Sequence, residues 1–129
     1  MQPSRNNRAA GGADATYLIA VIGDEDTITG FLLAGVGQND GVHDPNYFVV
    51  DPKTTSDSEI ETVFTSFTTR DDIAIVLINQ FIANRIRPVV AAFKRPHPAV
   101  LEIPSKEHPY DPSKDAILRR VKNMLGSQD

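Results

Sequence analysis

The sequence contains no cysteine. This excludes disulfides, thiolate metal sites and cysteine nucleophiles, and it agrees with a cytosolic setting. Long apolar runs are also missing, and none approaches the ~20 residues that a transmembrane helix needs. No secretory signal is expected, because the apolar run that follows Arg5 and Arg8 is interrupted at Gly23–Asp26 and lacks a convincing cleavage site. A transit peptide fits poorly with so short a leading stretch. Basic charge is scarce: 13 lysines and arginines stand against 17 aspartates and glutamates, net −4, with a pI of about 5.3. Such a surface is a poor one for non-specific nucleic-acid binding. No Walker-type phosphate loop, nucleophile-elbow serine or internal repeat occurs.

What is present fits one domain of ordinary size, with 129 residues of which 40% are hydrophobic. The organising stretch is Tyr17–Gly35. Leu18–Ile22 is a β-branched aliphatic run suited to a strand buried on both faces. Gly23 permits a sharp turn, and Asp24 is placed to cap a helix whose first turn holds Glu25 and Asp26. Ile28, Phe31, Leu32 and Val36 recur at helical spacing and predict a face packed on the sheet, with a glycine C-cap at Gly35–Gly37.

Further along, Gln38–Pro45 reads as a loop and Tyr47–Val50 as a second strand. Ser56 and Glu59 form a capping box that opens a helix with Ile60, Val63, Phe64 and Phe67 on one face. Ile73–Ile78 reads as a central strand, with Asn79 expected to cap the next helix. That helix carries Ile82, Ile86, Val89, Val90 and Phe93, and Pro88 should break it near Arg87. Ala99–Ile103 is the last strand. Asp111 and Pro112 are expected to open a C-terminal helix that ends at Gly126. The alternation predicts an α/β fold, a small Rossmann-like doubly wound sheet of about four parallel strands with flanking helices. Residues 1–15 read as a flexible arm, 16–104 as the α/β domain and 105–129 as linker and C-terminal helix.

Candidate chemistry is sparse. Asp24, Glu25 and Asp26 at a strand end suit a divalent cation, but capping and helix-dipole complementation account for them without one. A phosphorylated receiver domain, the nearest fold analogue, requires an aspartate at the end of the third strand, where this sequence has Asn79. Lys106 matches the receiver lysine only roughly. Gly35-Val36-Gly37 follows a helix and so is no dinucleotide fingerprint. The acidic first turn would repel a pyrophosphate. His43, His97 and His108 are scattered over loops beside prolines or acids. No catalytic, cofactor or metal site is expected. Ile117, Leu118, Val121, Met124 and Leu125 form a C-terminal apolar stripe, which pattern alone favours as core packing over partner packing.

Three stretches together, IAVIGDEDTITGFLLAG (Ile19–Gly35), DDIAIVLINQFIA (Asp71–Ala83) and AVLEIPSKEHPYDPSKDAILRR (Ala99–Arg120), resemble the family of F subunits of eukaryotic V-type proton ATPases. IPSKEHPY (Ile103–Tyr110) is the most specific piece. The resemblance implies a non-catalytic component of the V1 sector on the central rotor stalk, with no cofactor. Its implied partners are the coiled-coil D subunit, the A/B catalytic ring and other V1 and Vo stalk subunits. It implies location at the cytosolic face of endomembranes such as vacuole, lysosome and endosome, without direct membrane insertion. It also turns the C-terminal stripe towards a partner. Ile117, Leu118, Arg119, Arg120, Val121, Lys122, Met124 and Leu125 become candidates for the shaft contact, and Lys106, Glu107, His108 and Tyr110 for a contact from the preceding loop. A stand-alone receiver-like signalling domain is the alternative, and a small-ligand enzyme a weaker third.

Overall fold

The computed structural model describes residues 17–37 and 44–126. The arm at 1–15 and most of the loop expected at Gln38–Pro45 lie outside these residues. Four strands, β1 (Leu18–Gly23), β2 (Tyr47–Val49), β3 (Ile73–Asn79) and β4 (Ala99–Ile103), form one parallel sheet in the order β2-β1-β3-β4. The sequence's aliphatic runs therefore become the two inner strands, β1 and β3, as the absence of polar alternation requires.

The helices follow from local signals. α1 (Glu25–Leu33) starts where the Asp24 carboxylate accepts the Thr27 N–H at 2.8 Å and stops before Gly35, whose φ of +90° only glycine adopts without strain. α2 (Asp57–Thr69) opens on a complete capping box. Glu59 N–H donates to Ser56 Oγ at 3.1 Å and Ser56 N–H to Glu59 Oε1 at 2.9 Å. Pro88 splits the next helical run as expected, into α3 (Gln80–Arg85) and α4 (Arg87–Ala92), with Ile86 between them.

One face of the sheet carries the main core. Ala20, Ile22, Val76 and Ile78 are buried there with Ile60, Phe64 and Phe67 of α2 and with Ile82, Ile86 and Val90 of the split helix. The opposite face holds α1 over β1 and β2, and there Val21 and Ile28 are buried outside the main cluster. The apolar face expected for α1 is thinner than its spacing suggests. Ile28 is buried, Phe31 and Val36 are half-buried, and Leu32 is exposed.

Two expectations about chain turns are corrected. Asn79 does not cap α3, because its side chain is engaged elsewhere. Asp111 and Pro112 open a single 3-10 turn (Pro112–Lys114), and α5 (Ala116–Met124) begins four residues later on Asp115, whose carboxylate accepts the Ile117 N–H at 2.9 Å.

Candidate docking interface

The carboxyl ends of β1 and β3 meet at the point where the strand order reverses, the usual ligand crevice of such sheets. Here the crevice is filled by one amide. Asn79 Oδ1 accepts the Asp24 N–H at 2.9 Å, and Asn79 Nδ2 donates to Thr27 Oγ1 at 3.2 Å and to the Pro104 carbonyl at 3.1 Å. Asn79 is wholly buried, and a Cβ on Gly23 would stand 2.9 Å from its oxygen, so glycine is required by the close approach. Lys106 lies 4.0 Å from Asp26, and both side chains are mostly solvated, so the pair contributes little. The acids of the first turn thus act as cap and dipole partners. Among the described residues no group of three or more His, Asp or Glu side chains gathers to hold a metal.

The other end of the chain is built around a buried carboxylate. Glu102 of β4 accepts from Arg87 at 2.6 and 3.1 Å, from Gln80 Nε2 at 3.2 Å and from the Ala116 N–H at 3.1 Å. A buried carboxylate needs this many donors to offset its lost hydration. Gln80 also bonds both backbone groups of Asp111, accepting its N–H at 2.6 Å and donating to its carbonyl at 2.7 Å. The segment between β4 and α5 is therefore stitched to the body. Its tip is a tight turn in which Ser105 and His108 exchange backbone hydrogen bonds, and the His108 ring stacks on Phe81 with centroids 4.2 Å apart. Lys106 and Glu107 project from the tip into solvent.

At the helix start, Tyr110 donates its hydroxyl to Asp115, the cap of α5. That bond pushes the Tyr110 phenol up to about 12, with burial and the charges of Asp115, Glu102 and Asp111 acting in the same direction. Asp111 is held below the usual carboxylate range by the hydroxyl and N–H of Ser113.

Beyond this joint no residue of the helix is fully buried. Leu118 and Val121 are 40% and 44% exposed, and Met124 and Leu125 are 81% and 80% exposed. The preference for core packing, drawn from the pattern alone, is thereby corrected. Ile117, Val121 and Met124 share only an open groove with Pro98, Ala99 and Val100 at the edge of β4. Arg120 donates to the Lys94 carbonyl at 3.0 Å and Arg119 to the Ser113 carbonyl at 3.3 Å, and among the described residues neither they nor Lys122 meets a carboxylate. Charge is also divided along the chain in a way that totals conceal. Residues 17–79 hold two basic and eleven acidic side chains, whereas residues 80–126 hold nine basic and four acidic ones.

Fold and site together define a small α/β domain that carries an exposed, basic, amphipathic helix on a polar joint. The family model for the ATP synthase (F/14-kDa) subunit matches residues 19–121. The V-type proton ATPase F subunit of Dictyostelium discoideum is 57% identical, over 87% of this chain and 92% of that one. Its counterpart in Rattus norvegicus is 58% identical, over 87% and 93%. The solved V-type ATP synthase F subunit of Archaeoglobus fulgidus is 25% identical and superposes with a TM-score of 0.47, covering 68% of this chain and 98% of that one. The chain belongs to the family of V-type proton ATPase F subunits.

Proposed function

We propose that this chain is a non-catalytic part of the central rotor stalk in the V1 sector of a proton-pumping rotary ATPase, where α5 docks on the coiled-coil shaft, the D subunit. The observation that carries this reading is the exposed stripe of Leu118, Val121, Met124 and Leu125 on a helix joined to the body at its start and by the Arg120–Lys94 hydrogen bond. An amphipathic helix with no core to bury in completes its apolar face on a partner. Arg119, Arg120 and Lys122 flank the stripe and suit acidic groups on the shaft or the A/B ring. Lys106, Glu107, His108 and Tyr110 form or brace the adjoining turn, which adds a second contact with neighbouring stalk subunits. ATP hydrolysis is assigned to the A/B ring. This chain clamps and stiffens the shaft, so that its rotation drives proton transport. It acts at the cytosolic face of endomembranes without entering the bilayer. Among the described residues no helix is long and apolar enough to cross a membrane.

The test is reconstitution of the V1 sector with the chain ended after Asp111. The shortened chain is expected to lose stable association with the shaft and to uncouple hydrolysis from pumping. Unchanged association together with unchanged coupling would remove the proposed role of α5.

A further inference from the structure

Parallel sheets are almost always covered on both faces, because their strands are apolar on both. Among the described residues this one is covered unevenly: α1 packs on β1 and β2, and the β3–β4 half of the same face stays partly exposed. Registration puts Ile75 beside Ala99, Leu77 beside Leu101 and Asn79 beside Ile103 on that half. Ile75, Leu77, Ala99 and Ile103 are half-buried, and Leu101 is 37% exposed. Strands lie about 4.8 Å apart and a helix is about 10 Å across, so two strands make a bed one helix wide.

We propose that this partly exposed strip is a second docking surface, and that its occupant is a helix with an apolar stripe flanked by acidic residues. The inference rests on the proposed contact of α5 with a coiled coil and extends it. Ala99 belongs both to the strip and to the groove with Val121 and Met124, so the two surfaces meet at the β4 edge. A coiled coil offers two adjacent helices, one for α5 and one for the strip. Charge selects the occupant's flanks. Arg95 and Arg120 border the groove, Lys106 follows the far end of β4, and residues 80–126 carry a net charge of +5. The same charge disfavours a second copy of this chain, since a two-fold contact would press the basic half against itself. The stretch Met1–Thr16 is also a poor occupant. It carries Arg5 and Arg8 against Asp14, and its apolar residues after Met1 are proline, alanine and glycine.

The experiment places a photo-crosslinking benzoylphenylalanine at Leu101, at Met124 or, as a control on another face, at Glu61, each in the full chain within the assembled V1 complex. Cross-linked peptides are then sequenced. The inference expects Leu101 and Met124 to capture two helical segments of the same coiled-coil protein, and Glu61 not to. Capture by Met124 alone would overturn the inference and leave the proposed function standing. If neither position captures a helix, both fall. A Leu101 product with a second copy of this chain would replace the shaft by self-association. In parallel, L101E is expected to weaken shaft binding about tenfold with the chain's own melting temperature unchanged. Undiminished affinity would contradict the proposal.

Discussion

Asn79, at the end of β3, ties the segments after β1 and β4 to its own strand end with one amide. Its oxygen takes the Asp24 N–H and its nitrogen serves Thr27 and Pro104. An amide accepts at its oxygen and donates twice at its nitrogen, which neither a carboxylate nor a hydroxyl can do. N79D keeps the shape but turns two donated bonds into a carboxylate facing the Pro104 carbonyl, with Asp24 nearby. A buried, unpaired charge of this kind is expected to cost about 3 kcal/mol, read as a lower urea midpoint at constant m-value. The change is expected to create no phosphoryl acceptor, since the carboxylate would stay buried. A wild-type midpoint, or labelling of residue 79 by a small phosphodonor, would contradict this account of the crevice. The Asn79 role was half legible. Its polarity at a strand end is visible in sequence, but a helix cap is the local answer, whereas its real partners lie 25 to 55 residues away.

At the level of the elements, signals within one turn of chain are reliable and those settled by distant partners are not. Ser56 and Glu59 make their capping box because both members sit on the same turn. Pro88 breaks its helix because the missing N–H is a property of that residue alone. Asp111 and Pro112 carry as good a start signal as Asp115 does, yet α5 starts at Ala116. The difference lies in Gln80, which holds both backbone groups of Asp111, and Glu102, which takes the Ala116 N–H. The Tyr110–Asp115 bond adds a pH signature to this joint. The phenol is raised from 10.0 to about 12, so the folded chain keeps its proton where the unfolded chain loses it. The stability from this bond is therefore full below about pH 10 and is lost as pH rises towards 12. Spectrophotometric titration should show one of the three tyrosines ionising late. Y110F should remove that late step and flatten the alkaline loss of stability. A Tyr110 that ionises near its ordinary value of 10.0 would rule the bond out.

On the scale of the whole molecule, the described residues divide into a well-buried core on one sheet face and two apolar surfaces without partners. The core was legible, since the aliphatic runs of β1 and β3 and the stripe of α2 identify it directly. The partly exposed half of the other face was not. Leu77 and Leu101 look in sequence like any residue of a strand buried on both sides, and the placement of α1 over β1 and β2 leaves Leu77 half-buried and Leu101 exposed. The fate of α5 was equally ambiguous, because an apolar stripe has the same spacing whether its partner is the chain's own core or another chain. The structure resolves the intramolecular half of that question. Nothing in the described body buries Leu118, Val121, Met124 or Leu125.

The most direct test is the affinity of the V121E/M124E double variant for the purified coiled-coil shaft, measured beside its melting temperature alone. Met124 is largely and Val121 nearly half in solvent in the free chain, and neither is part of the core, so the melting temperature is expected to stay within a degree or two of wild type. Truncated apolar anchors at an interface typically cost more than 1 kcal/mol each, so affinity is expected to fall about a hundredfold. Wild-type affinity in a variant that folds normally would contradict the claim that α5 is the shaft-binding element.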